Sequence, residues 1–400
     1  PATARSAAGV FIVGAKRTPF CGFGGALREL PAGHAFAAAA TDAIRSANMD
    51  PALIHNTVVG NVHYLSQCDG GKTPRHCGLY SGVPVDRPAV GVNKSCGSGL
   101  QAIITGAVDI ITGIAKVSLT GGTEIMSSLP YLVKNTRFGT ALGNNYTLED
   151  YIQNQFPDSY TGRTLESMAE ELAKKYEVTR SDADEFAVRS HLRWKAAHEG
   201  KTFDKEITKM SLSTKNKTVI IDKDDLPQAE VTLEALSQIP VTIEGASVIT
   251  TKNCSTPADG AAALILADED TISQQRIDPL ARLVAYAAVG SDPAETGVGA
   301  IPAIRKLLDV TKLTVNHVDL FEINETFAAL ALLSARALNI DLEKVNVSGG
   351  AIAMGNPVAA TGARMAVHLV HELRRRNLKR GIAASSCGGG QGVAVLVDTL

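Results

Sequence analysis

The sequence predicts an α/β fold built from two similar halves. Short β-branched runs alternate with longer amphipathic ones, the pattern of strands joined by crossover helices. One order of strands and helices occurs twice, and a stretch of different texture interrupts the first copy. In the first copy, residues 9–13 read as a strand and 32–48 as an alanine-rich helix. Residues 57–62 and 89–93 read as strands, 99–113 as a helix, and 117–120 as a strand running into Gly121-Gly122. The order then returns. Residues 280–288 read as a strand, 300–308 as a helix, and 318–323 as a strand ending at Asn324. A helix over 327–338, a short strand over 345–347 and a helix over 361–375 follow. The last strand, 382–385, runs into Gly388-Gly389-Gly390. In both copies one strand ends in asparagine (Asn61, Asn324), the next runs through Val-Asn into a turn, and a third runs into glycines. Such self-similarity indicates a duplicated unit.

Between the copies, charged helical stretches (165–176, 180–199) and irregular polar segments such as 144–162 replace the alternation. Ser181, three residues before Asp184, reads as a helix cap. Loops of this kind commonly carry substrate and oligomer contacts. The resulting division is 1–124 with 251–275 as the first half, 125–250 as an insertion, and 276–400 as the second half.

Composition narrows the function classes. Four hundred residues exceed one typical domain of ~100–150. An apolar fraction of 45% with mean hydropathy of +0.05 describes an ordinary globular chain. A balance of 39 basic against 41 acidic residues implies no nucleic-acid partner. The basic run Arg374-Arg375-Arg376, with Lys379 and Arg380, reads as cations on the last turn of a surface helix. No apolar run reaches the ~18 residues of a transmembrane segment. Six cysteines, at 21, 68, 77, 96, 254 and 387, lack a C-x-x-C pair, so neither disulfides nor a metal site are expected. Residues 1–10 have one arginine and no acid, and read either as the remnant of a targeting segment or as a loose terminus. Sequons at Asn145, Asn324 and Asn346 read as chance.

Two cysteines stand where chemistry is expected. Cys96 lies in Asn93-Lys94-Ser95-Cys96-Gly97-Ser98-Gly99, between a strand and an apolar helix. A helix N-terminus favours thiolate over thiol, and flanking glycines let a substrate approach and leave N–H groups for an oxyanion. Taken alone, the residue reads sooner as a buried structural thiol than as a nucleophile. Cys387 lies in Ser385-Ser386-Cys387-Gly388-Gly389-Gly390-Gln391-Gly392, just past a strand, where α/β sheets place their sites. Equivalent ends of two duplicated halves can bring the two thiols together. The glycine run lacks the Gly-Lys-Ser/Thr ending of a phosphate loop.

Ordered motifs covering residues 15–392 carry a resemblance. They are Ala15-Lys16-Arg17-Thr18-Pro19-Phe20, the Cys96 segment, Gly121-Gly122-Thr123-Glu124, Asn324-Glu325-Thr326-Phe327, Gly349-Gly350-Ala351-Ile352-Ala353 and the Cys387 segment. Together they resemble the thiolases, with Arg137-Phe138-Gly139 nearest the mitochondrial-type 3-ketoacyl-CoA thiolases and the acetoacetyl-CoA thiolases second. The resemblance implies duplicated βαβαβαββ halves in a five-layered α-β-α-β-α core, with a loop domain inserted in the first half. It implies an acyltransferase acting on acyl-CoA and 3-ketoacyl-CoA, with coenzyme A as co-substrate and no permanently bound cofactor or metal. It further implies a homodimer or homotetramer, and a mitochondrial location with the cytoplasm as alternative. By resemblance, Cys96 is the nucleophile that takes the acyl group and Cys387 the acid/base. Asn324 orients a water in one oxyanion hole, the N–H groups of Cys96 and Gly389 form the other, and Ser255 lies beside the pantetheine arm. Ser255 is also open to reading as a helix cap.

One position departs. The family's glycine-histidine-proline motif stands here as Met354-Gly355-Asn356-Pro357-Val358. An asparagine amide donates a hydrogen bond but cannot take a proton near neutral pH, so Asn356 keeps only half of the histidine's role. Val358-Ala359-Ala360-Thr361, Lys252 and Thr256 also depart from the family pattern. The drift leaves a second reading open, a CoA-ester-binding protein with little turnover. A beta-ketoacyl synthase is the more distant alternative, sharing the duplicated fold but not the paired cysteines. His63, in Asn61-Val62-His63-Tyr64, is the candidate substitute base, with a surface or core histidine as the other reading.

Overall fold

The computed structural model describes residues 3–6, 9–66, 69, 71–155, 157–213, 218–227 and 230–400; Cys68 lies outside them. The first half comprises β1 (Val10–Arg17), α1 (Ala32–Ser46), β2 (Asn56–Gly60), α2 (Thr73–Tyr80), β3 (Ala89–Val92), α3 (Ser98–Ile111) and β4 (Val117–Ile125). The interruption contributes α4 (Leu165–Lys175) and α5 (Arg180–Glu199), and β5 (Ala258–Asp268) returns to the sheet. The second half comprises β6 (Ala281–Gly290), α6 (Ala300–Thr311), β7 (Leu320–Ile323), α7 (Ala328–Leu338), α8 (Val358–Arg376), β8 (Arg380–Cys387) and β9 (Gln391–Thr399).

Strand order is β7-β8-β9-β6-β1-β5-β4-β2-β3, one sheet joined where β1 meets β6 through Ile12↔Ala281 and Phe11↔Arg282. The duplication is visible in the pairing. β2 runs parallel to β3 and β4, β4 antiparallel to β5, and β5 antiparallel to β1. β7 runs parallel to β8, β8 antiparallel to β9, and β9 antiparallel to β6.

Burial produces five layers. Along β5 the apolar residues alternate between two faces, both covered. Ala262, Leu264 and Leu266 join a central core with α3, α8 and strands of both halves. Ala261, Ala263 and Ile265 face an outer layer built on α1. In the second half, α6 and α7 cover the far face of the sheet, and α4 and α5 pack on the same cluster. The two central helices pass very close. A Cβ on Gly99 of α3 would sit 2.4 Å from the Ala363 nitrogen of α8, so glycine is required at that crossing.

Several expectations need correction. β5 and β9 were not anticipated as strands; covered on both faces, β5 alanine-rich and β9 a continuous apolar run over 393–397, they lack the apolar–polar alternation that marks a strand. Residues 345–347 form no strand: a 3-10 turn at Leu342–Lys344 leaves a single Phe321↔Val345 bridge. β4 does not stop before Gly121-Gly122 but continues to Ile125. Ser181 is not the cap of α5; Thr179 accepts from the Asp182 N–H while Asp182 reaches back, a reciprocal capping box. Within the terminus read as loose, Thr3–Ser6 pairs antiparallel with β6. No helix among the described residues is long and apolar enough to cross a membrane.

Candidate active site

The turn between β3 and α3 is tied by its own side chains. Asn93 Oδ1 accepts from the Ser95 N–H at 3.1 Å, and the Ser98 hydroxyl donates to the Ser95 carbonyl at 2.6 Å. These bonds hold Ser95 at φ +46°, a left-handed conformation that serine rarely adopts. The strained turn delivers Cys96, partly exposed, to the start of α3.

Cys387 ends β8 and is buried. A Cβ on Gly97 would lie 2.4 Å from Cys387 Sγ, so the bare backbone at Gly97 is what lets the two segments meet. Burial pushes the Cys387 thiol up to about 12, the neighbouring Cys96 adds to this, and Lys94 and the Gly97 N–H pull it back. Cys387 therefore carries its proton at neutral pH. Burial also raises the Cys96 thiol, while hydrogen bonds from Thr326 and Asn356 lower it and Glu124 raises it further. Gly389, just beyond Cys387, adopts φ +74° with open space where a side chain would stand.

Asn324 follows β7. Its Nδ2 donates to Thr326 Oγ1 at 3.1 Å, and its buried Oδ1 has no hydrogen-bond partner among the described residues. Asn356 stands before α8. Thr361 Oγ1 donates to its Oδ1 at 2.7 Å, and its Nδ2 reaches Ser255 Oγ at 3.4 Å. Ser255 does not cap a helix; its N–H and hydroxyl both face the Thr326 carbonyl, at 3.0 and 3.4 Å. The structure thus gathers Cys96, Cys387, Asn356 and Ser255 with Asn324, linked through Thr326.

His63 is not among them. Its ring is buried edge-on to Tyr151 at 5.9 Å, and neither ring nitrogen has a hydrogen-bond partner among the described residues. Burial lowers its pKa to about 4, which makes it a weak base. Glu124 acts on Cys96 through its charge, but its carboxylate is fully engaged. It accepts from Asn61 Nδ2 and from the N–H groups of Val62, His63 and Ala359, and burial raises it to about 7. Its bond to Ala359 ties the first half to α8 of the second.

Sequence reasoning missed Thr326 and Thr361. Both lay inside motifs already singled out, but a threonine hydroxyl signals nothing until its acceptor is known. Among the described residues, no group of three or more His, Cys, Asp or Glu side chains is placed to hold a metal ion.

A thiol at the start of α3 and a second at the end of β8, meeting across Gly97 in a duplicated α/β core, define a class of thiol-dependent acyl-transfer proteins. The family models "Thiolase, N-terminal domain" and "Thiolase, C-terminal domain" match residues 10–270 and 277–399. The chain belongs to the thiolase family. It is 40% identical to mitochondrial 3-ketoacyl-CoA thiolase of Bos taurus, covering 98% of each chain. It is 37% identical to acetyl-CoA acetyltransferase of Pseudomonas aeruginosa, covering 96% of this chain and 98% of that one. The crystal structure of human mitochondrial 3-ketoacyl-CoA thiolase in complex with CoA superposes with a TM-score of 0.94 at 40% identity, covering 98% of both chains.

Proposed function

We propose that this protein is an acyl-CoA C-acyltransferase that cleaves 3-ketoacyl-CoA with CoA, or condenses acyl-CoAs, through an acyl-enzyme on Cys96. The observation that carries the proposal is the meeting of Cys96 with the proton-bearing Cys387 across Gly97. In cleavage, the Cys96 thiolate attacks the 3-keto carbon and the bond to the α-carbon breaks. The electron pair stays with the departing thioester enolate, and the Cys387 S–H protonates it at carbon. The Cys387 thiolate then takes the proton of CoA, whose sulfur attacks the acyl-enzyme and frees Cys96. This two-step transfer predicts ping-pong kinetics. The Cys96 and Gly389 N–H groups serve one oxyanion, and Asn356 with a water oriented by Asn324 the other, each donor worth roughly 3–4 kcal/mol. Ser255 lies beside the arm of CoA, which acts as co-substrate rather than resident cofactor. The insertion of 125–250 contributes substrate and oligomer contacts, and the relatives support a mitochondrial location.

One observation favours the second reading, a CoA-ester-binding protein with little turnover: the carboxamide of Asn356 offers Cys96 no base. Thiolysis of acetoacetyl-CoA and of a longer 3-ketoacyl-CoA decides between them. Turnover of either ester supports the acyltransferase; tight binding of both without turnover supports the binder.

A further inference from the structure

We propose that Thr361 is a positioning residue: its hydroxyl, donating to Asn356 Oδ1, holds the carboxamide with its NH2 turned to Cys96. This rests on the reading of Cys96 as the nucleophile and adds what sets its protonation where the imidazole is missing.

A carboxamide can turn either end toward a neighbour, so something must choose. Thr361 is fully buried, with two acceptors in reach, Asn356 Oδ1 at 2.7 Å and the Pro357 carbonyl at 3.2 Å. The shorter contact occupies Oδ1. Ser255 chooses the same way. Its hydroxyl is directed at the Thr326 carbonyl, so its lone pair is what meets Asn356, and a lone pair requires the NH2 end. Thr326 repeats the device on the other side. Asn324 Nδ2 donates to its oxygen, which leaves the Thr326 proton for Cys96. The oxygens of both neighbours are thus occupied and their hydrogens face the sulfur. A thiolate gains more from that arrangement than a thiol does. The other titratable group felt at this sulfur is Glu124 on β4, which opposes the thiolate, while Cys387 on β8 keeps its proton. Without Thr361, only the longer 3.4 Å contact to Ser255 opposes a turn of the Asn356 oxygen toward Cys96.

The test is the pH dependence of Cys96 alkylation by iodoacetamide, followed by peptide mass spectrometry on the full chain. Thr361→Val is nearly isosteric and removes the hydroxyl alone. It is expected to raise the apparent Cys96 pKa by about half a unit to one unit, the scale of one hydrogen bond. Thr361→Ser is expected to restore the wild-type profile. If Thr361→Val does not fold, Thr361→Ala carries the same expectation. A profile for the folded Val or Ala variant that superimposes on wild type overturns the proposal, as does a Ser profile displaced like that of Val. Alkylation needs no substrate, so a wild-type chain that fails to catalyse thiolysis counts against the acyltransferase reading and leaves this measurement decisive on its own.

Discussion

At the scale of single residues, the site has kept its sulfurs and exchanged its base for a donor. Asn356→His is therefore expected to raise the thiolysis rate near pH 7 by one or more powers of ten, since a general base typically contributes about 10²–10⁴. It should also flatten the climb of wild-type activity toward alkaline pH; rate–pH profiles of the two proteins check both. His63 makes a different prediction. Its folded pKa of about 4 lies below the ~6.5 of a free histidine, so the unfolded chain takes up the proton first. Stability from this residue is complete above pH ~6.5 and falls as pH drops toward about 4, by roughly 1–3 kcal/mol. His63→Phe, which keeps the aromatic edge on Tyr151, should remove that part of the acid sensitivity in thermal unfolding and leave thiolysis unchanged at pH 7. Cys96, Cys387 and Asn324 were legible because their segments are contiguous and stereotyped. The hydroxyls of Thr326 and Thr361 were not, because their role depends on which partner each faces, a fact of three-dimensional packing.

At the scale of elements, close approach is the strictest demand. Gly99→Ala puts a methyl within 2.4 Å of the Ala363 nitrogen, backbone that cannot rotate away. It should destabilise by about 1–3 kcal/mol in denaturant unfolding, as overpacking does. Thr179→Ala, which removes the capping box of α5, should cost about 1 kcal/mol. Helices with one apolar face, such as 32–46 and 180–199, declare themselves by period. β5 and β9 are covered on both faces, so neither shows alternation, and the Ala-rich run of β5 reads equally as helix. Only their pairing with β4 and β8 settles what they are.

At the scale of the whole molecule, the duplication was legible from Asn61 and Asn324 and from the paired glycine turns, and the two half-sheets repeat the same parallel and antiparallel order. What the repeat could not reveal is how the halves are tied, by β1 against β6 and by Glu124 reaching Ala359. β3 is the last strand of the sheet, and Val90 on it is exposed, as are Val85 just before it and Ile111 and Ile114 at and just past the end of α3. An apolar sheet edge of this kind calls for cover, and the expected cover is a second copy of the chain. Light scattering should give at least twice the 42.0 kDa of one chain; a species of that mass alone at micromolar concentration contradicts it. The duplicated halves converge on one sulfur, and the most direct measurement is made there. After incubation with an acyl-CoA and rapid acid quenching, peptide mass spectrometry should find the acyl mass on Cys96, with Cys387 and Cys254 unmodified. An acyl group on Cys387 with Cys96 bare, or no adduct from any acyl-CoA that binds, would contradict the account.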